Sequence, residues 1–224
     1  MNHKISSGLL GALLMGLAGA CAAQTHTVYL GGAHIDVRAV STPLTHASLP
    51  DARLSVGDQD TLGFGYTYRF APSWSAELAL GLPPTHKVYG EGSLKPFGQI
   101  SAVQQLPPTV FLNYHFGELL PKLHPFVGLG INYTRFPKTR STVAGDLASG
   151  GATNIKLADS WGAAGHVGLT VQFDKNWSLV STVAMAKVKS EVTAVSQTRE
   201  GVVTRNTTVD FRPIVTTLSL GYSF

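Results

Sequence analysis

The closing stretch of the chain admits one backbone conformation and little else. Ile214-Val215-Thr216-Thr217-Leu218-Ser219-Leu220-Gly221-Tyr222-Ser223-Phe224 alternates residue by residue. One parity holds Ile214, Thr216, Leu218, Leu220, Tyr222 and Phe224; the other holds Val215, Thr217, Ser219, Gly221 and Ser223. Side chains of a β-strand point alternately to its two faces. The stretch is therefore expected to be a two-faced strand, with one side apolar and ending in aromatics and the other small and mostly polar.

The same period recurs through the chain. Leu62, Phe64, Tyr66, Tyr68 and Phe70 oppose Gly63, Gly65, Thr67 and Arg69. Trp74, Ala76, Leu78, Leu80 and Leu82 oppose Ser75, Glu77, Ala79 and Gly81. Further strands of this kind are expected over 110–116, 127–134, 161–173 and 177–185, with a weaker first one near Thr25 to Val37. Charged residues make up only 13% of the chain, against ~25% in soluble domains. Beyond the N-terminus no run approaches the ~18 apolar residues of a transmembrane helix, so the hydrophobicity is spread over alternating positions. In a soluble sandwich the apolar parity faces a core. In a transmembrane barrel it faces lipid, and the inner parity is polar or small. Arg69 and Glu77 on the second parity, and aromatics at strand ends (Tyr68, Phe70, Trp74, Phe116, Phe173, Trp177, Tyr222, Phe224), favour the barrel.

The connections point the same way. Ala71-Pro72-Ser73 and Asp174-Lys175-Asn176 are tight turns by composition, and Gly117 to Leu123 is slightly longer. Arg38 to Asp60, Pro83 to Pro107, Pro137 to Asp159 and Val192 to Asn206 are long. Short and long alternate strictly, as periplasmic turns and extracellular loops do in outer-membrane barrels. The expected fold is all-β: an eight-stranded antiparallel transmembrane β-barrel with short periplasmic turns and long extracellular loops, both chain ends being periplasmic.

The first residues form a targeting segment. Lys4 supplies the positive region, Gly8 to Leu17 the apolar region, and Ala18-Gly19-Ala20-Cys21-Ala22-Ala23 the small residues before cleavage. Residues 1–23 are expected to be a cleavable signal peptide, cut after Ala22 or Ala23, and 24–224 the barrel. Ala20-Cys21 has a lipoprotein look, but Ala18 stands where leucine is preferred. If Cys21 leaves with the signal, the mature chain has no cysteine and no disulfide.

Several stretches carry a resemblance. Leu106-Pro107-Pro108-Thr109, Lys122 to Thr134, Leu157 to Gly168 with its Ser-Trp-Gly-Ala-Ala-Gly run, Pro84-Thr85-His86-Lys87 and the closing Gly221-Tyr222-Ser223-Phe224 closely resemble the outer membrane protein W family. The match is strongest from about residue 77 to 173 and poor over Arg38–Asp60 and Thr193–Asn206, so recognition by loops is not carried over. The resemblance implies an eight-stranded barrel in the outer membrane of a Gram-negative bacterium. It also implies a narrow channel passing small hydrophobic or amphipathic solutes through the lipopolysaccharide layer, with release sideways into the membrane, and for some members bacteriocin reception. A second reading, which barrel anatomy alone does not separate from the first, is a non-transporting surface barrel serving adhesion, stress resistance or bacteriocin and phage reception. A terminal Phe with Tyr two residues earlier also resembles the C-terminal signature of outer-membrane barrels. The expected partners are therefore outer-membrane lipid, lipopolysaccharide, and the barrel-assembly machinery acting on the Phe224 strand.

The residues give little support to other chemistry. The net charge of +4 is mild, and its lysines and arginines are dispersed, so no nucleic-acid surface is expected. The eight histidines show no metal-ligand spacing, and no cofactor is expected. His86, Asp159 and Ser160 stand near the outer rim without a nucleophile-elbow motif, where a polar rim is ordinary. Arg69, Glu77, Phe111, His115 and His166 are assigned to the inner face as a plug of the lower lumen. Eight strands leave a bore just wide enough for side chains, so the inner glycines decide whether space remains. Leu54, Val56 and Phe97, apolar residues of the long connections, are assigned to a hydrophobic mouth for solutes. Pro83-Pro84 and Pro107-Pro108 are read first as loop punctuation, and second as stiffeners that end pairing, since proline donates no ladder hydrogen bond.

The mature chain is expected to begin at Ala23 or Gln24. Intact mass of the membrane-extracted protein checks this, and a lipid-modified Cys21 would contradict it.

Overall fold

The computed structural model describes residues 25–47 and 49–224. The segment expected to be a signal peptide, its expected cleavage site and Cys21 lie outside the described residues.

In chain order the strands are β1 (His26–Val37), β2 (Val40–Ser41), β3 (Ala52–Val56), β4 (Gln59–Ala71), β5 (Trp74–Gly81), β6 (Thr85–Gly92), β7 (Gln99–Leu106), β8 (Thr109–His115), β9 (Leu123–Ser141), β10 (Gly151–Leu157), β11 (Ser160–Gln172), β12 (Trp177–Ala186), β13 (Lys189–Thr198), β14 (Gly201–Asp210) and β15 (Pro213–Ser223). A 3-10 turn spans Lys95–Phe97, and one short helix, α1, spans Val143–Ser149. Hydrogen-bonded neighbours run β11-β12-β15-β1-β4-β5-β8-β9, and β9 pairs back with β11. Every pairing is antiparallel, so the expected eight-stranded barrel is what forms. Its first and last strands close it, from Thr27↔Ser223 to Val37↔Pro213. The terminal Phe224 exchanges backbone hydrogen bonds with His26.

In this lower part the assigned faces hold. Leu129 is 78% exposed and Ile131 61%, whereas Ser75, Asn113, Thr134 and Ser219 between such positions are buried. Hydrocarbon replaces water as the solvent outside, so the exposed parity is the apolar one. Aromatics frame it: Trp74 meets Tyr114 edge to face, and Trp177 meets Tyr222 likewise. At the other rim Tyr133 packs on Trp161. Phe116 bonds to Pro125, and Tyr133 lies eight residues further along β9. At ~3.4 Å per residue and a tilt of ~40°, that spans roughly 21 Å, close to the ~25 Å apolar band of such barrels.

Above that rim the sidedness reverses. The connections assigned as long are long, but most of their residues are further strand. They build two sheets, β3-β6-β7-β9 and β10-β13-β14-β2. No ladder joins β9 to β10; Thr139 instead donates its hydroxyl to the Ile155 carbonyl. Here the inward residues are apolar: Ile35, Val37, Val56, Val88, Val103, Phe136, Val188, Val192, Val209 and Phe211 form one core. The outward residues are polar, including Lys87, Lys138, Arg140, Lys156 and Lys189. This is the pattern of a soluble sandwich, whose sheets bury a shared core. The helix α1, which period-two reading could not reveal, caps the seam; Thr142 Oγ1 accepts from Gly145 N at 3.1 Å and Gly150 closes the helix at φ 84°.

The two storeys meet where the prolines sit. The β5–β8 ladder ends at Ala79↔Thr109, and β6–β7 resumes at Thr85↔Gln104. Residues 80–83 and 106–108 have no ladder partners across this seam. A missing ladder in a membrane wall normally orphans backbone groups at several kcal/mol each. Here Pro83, Pro84, Pro107 and Pro108 have no N–H to orphan. The carbonyls find other donors: Leu82 O accepts from Thr61 Oγ1, Pro83 O from Gln104 Nε2, Pro84 O from Gln105 N, Pro107 O from Thr109 Oγ1, and Pro108 O from Tyr133 N. The prolines are thus interior breaks in long strands, which is the second of the two sequence readings.

Charge should be far less tolerable on the lipid face than inside. Leu129→Arg is expected to destabilise the barrel by ~2–4 kcal/mol, and Thr170→Arg, whose residue lines the lumen, by much less. Denaturant titrations in lipid vesicles check this; the reverse order would mean the faces are misassigned by one residue.

Candidate functional site

Inside the lower barrel lies a cavity of about 310 Å3. A buried polar cluster that begins with strand parity projects into it partway down, between the break above and Thr27, Arg69 and Ser223, which line its periplasmic end. Glu77 is inward on β5, Asn113 on β8 and His166 on β11. Asn113 Nδ2 donates to Glu77 Oε2 at 2.6 Å, and Tyr29 from β1 donates its hydroxyl to the other carboxylate oxygen. With its amide nitrogen committed to the carboxylate, Asn113 presents Oδ1 to His166 Nε2 at 2.8 Å. That nitrogen therefore carries the proton. The His166 ring stacks on Phe111 with centroids 4.0 Å apart and planes 7° apart, and meets Phe126 edge on. One carboxylate thus ties together three strands of the wall, and two phenylalanine rings seal the histidine.

This cluster fits because the opposing inward positions are glycine. A Cβ on Gly128 would lie 2.1 Å from Asn113 Oδ1 and 2.3 Å from His166 Nε2. A Cβ on Gly65 would strike the Tyr29 ring at 2.2 Å, and one on Gly168 the Phe126 ring at 2.2 Å. The alternating glycines of the sequence therefore hold the volume of the plug.

Of the five residues assigned to the plug, Glu77, Phe111 and His166 are joined in this cluster. His115 stands beside it, with Nε2 2.8 Å from Ser75 Oγ and its ring near Phe126. Arg69 lines the cavity, but it is exposed near the periplasmic end and is bonded to none of the others. Tyr29 and Asn113 were missed by the sequence reading. Alternation along 110–116 puts Asn113 on the inner parity, yet nothing in its neighbours along the chain marks the Glu77 carboxylate on the adjacent strand.

The assigned mouth is packed rather than solvated. Leu54 and Val56 lie in β3; Val56 belongs to the apolar core and Leu54 packs against it. Phe97, in the 3-10 turn, packs on a second small cluster of Ala52, Leu94 and Ile100. A smaller cavity of about 90 Å3 is lined by Leu54 and Val56 but not Phe97. Between the two cavities Phe136 and Phe211 stack 5.5 Å apart. The larger cavity also reaches the wall: Leu80, Leu82, Pro84 and Pro107 at the break line it together with inward Glu77 and Phe111. Leu80 and Leu82 belong to the lipid-facing parity, and Leu82 is 53% exposed.

The rim residues weighed for catalysis have separate partners. Buried His86 places Nδ1 2.9 Å from the Gly57 carbonyl, and burial holds its imidazole below the ordinary value. Asp159 accepts from Tyr133 Oη at 2.6 Å and faces Arg135. Ser160 Oγ accepts from Lys189 N. Among the described residues no group of three or more potential metal ligands converges.

Residues 26–224 match the OmpW family. Outer membrane protein W of Vibrio cholerae serotype O1 is 32% identical over 77% of this chain and 77% of its own length. The dibenzothiophene metabolism operon protein PahQ of Pseudomonas aeruginosa is 26% identical, covering 79% of this chain and 77% of its own. The crystal structure of OprG from Pseudomonas aeruginosa superimposes with a TM-score of 0.81 at 28% identity, covering 90% of this chain and 96% of that one.

Gly128→Ala is expected to destabilise the folded barrel by about 1–3 kcal/mol through overpacking. Gly32→Ala, whose Cβ meets nothing within 4 Å, should stay within about 0.5 kcal/mol. Parallel folding titrations check the pair, and equal effects would mean the plug does not depend on the glycine gap.

Proposed function

The chain belongs to the OmpW family of outer-membrane barrels, and from that premise we propose that it is a narrow conduit for small hydrophobic or amphipathic solutes that leave sideways into the membrane. The observation that carries the reading is the shape of the larger cavity. The Tyr29–Glu77–Asn113–His166 cluster narrows it partway down, and beside its upper part lies the break at Pro83–Pro84 and Pro107–Pro108. An apolar solute gains by transfer to hydrocarbon, whereas crossing the polar cluster would strip hydrogen bonds from buried groups without replacing them. The downward route is therefore unfavourable and the lateral one favourable. The apolar core around Val56, Phe136 and Phe211 forms the upper gate, which must part for a solute to descend. Leu54, Val56 and Phe97 serve as its approach. A relative named for a dibenzothiophene operon makes apolar aromatic compounds suitable test solutes.

The partners follow from position. Lys87, Lys138 and Arg140 are exposed on the outer wall above the Tyr133–Trp161 rim, where anionic lipopolysaccharide groups sit. The Phe224 strand closes the barrel against β1 and is the segment offered to the assembly machinery. No catalytic role is assigned.

Cells carrying the protein should take up a small apolar aromatic faster than cells lacking it. Leu54, Val56 and Phe97 changed together to Asp should remove most of the gain. Restoring N–H groups at the seam with P83A, P107A and P108A should lower uptake while leaving ion conductance unchanged. Equal uptake in all strains would remove the conduit and leave a non-transporting surface barrel.

A further inference from the structure

Among the described residues, every lysine and arginine is exposed except one. Arg205, on β14, is 7% exposed and points inward, level with Ala194 and Ile155 across the sheet. A guanidinium carries five N–H donors. The one hydrogen bond that Arg205 makes runs from Nη1 to Ser196 Oγ at 3.2 Å. Among the described residues no carboxylate lies within ion-pair distance of it. A buried charge without a counter-ion is strongly disfavoured unless something pairs with it. The side chain is not sealed into a dry core, because it lines the upper cavity of about 90 Å3.

The rest of that cavity has two characters. Leu44, Leu54, Leu94 and Ile100 form an apolar wall. Around the arginine are hydroxyls: Ser196 Oγ is 2.9 Å from Thr153 Oγ1, and Thr207 is the next inward residue along β14. One pleat below, Val192 and Leu157 pair with Thr207's level and join the apolar gate. A fixed cation beside an apolar wall, directly above an apolar gate, complements a molecule with a carboxylate at one end and a short apolar body. At about 90 Å3 the cavity admits water or a short apolar body.

We propose that the upper cavity is a binding site for short amphipathic carboxylates, with the carboxylate on the Arg205 guanidinium and the apolar body against Leu54, Leu94 and Ile100. Guanidinium and carboxylate match as a bidentate pair, and the pairing supplies the counter-charge the protein itself does not. This narrows the solute class of the proposed conduit and rests on that reading for its physiological meaning, though not for the binding itself.

The test uses the full mature barrel in detergent micelles, with butyrate as probe and 1-butanol as its neutral counterpart. Butyrate should shift the Arg205 Nε–H resonance and the backbone resonances of β13 and β14 saturably, while 1-butanol should leave the Arg205 resonance in place. R205Q should weaken butyrate binding at least tenfold, and R205K should recover part of it, since the charge returns without the fork. An Arg205 resonance in the wild-type protein that does not respond to butyrate overturns the site, leaving a guanidinium solvated by cavity water. Equal butyrate affinity in wild type and folded R205Q does the same. Uptake of apolar solutes with an unresponsive Arg205 removes only this site. Butyrate binding at Arg205 without any solute uptake removes only the conduit.

Discussion

Everything in this molecule depends on where its backbone finds hydrogen bonds. In hydrocarbon no water is available to satisfy a stray N–H or C=O, so a sheet must close on itself. The pairing of β1 with β15 provides that closure, and once it exists each of the eight barrel strands is fixed in register with two neighbours. Register then fixes the faces, because a slip of one residue would turn Leu129 inward and Asn113 out into lipid. The break between β5–β8 and β6–β7 obeys the same rule rather than defying it. Proline supplies no donor to strand, and the carbonyls of residues 82–84, 107 and 108 are all taken by side chains or neighbouring amides. A seam can therefore open in the wall without orphaned groups, and its position is dictated by where the prolines fall.

The same alternation does opposite work above and below that seam. Below, lipid is the outer solvent, so the apolar parity faces out and the inner one is free to be polar. Above, water is the outer solvent and Lys87, Lys138 and Arg140 face it, so the apolar parity turns in and packs as Val56, Val103, Phe136 and Phe211. A solute descending this interior meets apolar surface first and the Glu77 cluster last. The order follows from the two solvents outside, before any demand of transport is considered.

The barrel was legible because membrane strands alternate strongly and their turns are short. The strands over 62–70, 74–82 and 127–134 were visible residue by residue, with the correct face outward. The upper strands were not. Segments such as 38–60 and 192–206 mix Thr, Ser, Val and charge in a pattern whose sign is inverted relative to the rest, so they resemble polar loops when judged by the lipid-facing rule. Leu54 and Val56 were noticed as apolar, but their role as core residues depended on partners in β6 and on the opposite sheet. Within the plug, Glu77, Phe111 and His166 were legible as large inward residues. Their mutual contacts were not, because sequence parity gives the face of a residue and not its height in the lumen. Arg69 shows the limit: it shares the inner parity yet stands too near the periplasmic end to join them.

Height also explains why a stopper and a side seam belong together. A bare eight-stranded bore filled by side chains passes nothing, and one emptied by glycines would leak water and ions. Gly65, Gly128 and Gly168 empty it, and side chains refill it: Tyr29 over Gly65, Asn113 and His166 over Gly128, and Phe126 over Gly168. The refilled layer is cross-tied by charge-assisted hydrogen bonds, which are stronger than neutral ones and harder for a passing apolar molecule to replace. The cavity passes this layer, lined from Thr27, Arg69 and Ser223 at the periplasmic end up to Leu82, Pro84 and Pro107 at the break. The part of the chamber above the cluster thus has a polar constriction for a floor, an apolar ceiling and one flank where the ladder is missing. For water and ions the apolar ceiling and the hydrocarbon beyond the flank are both unfavourable; for an apolar solute only the floor is. In the proposed conduit, selectivity comes from the polarity of three surfaces and requires no moving part other than the packed core above.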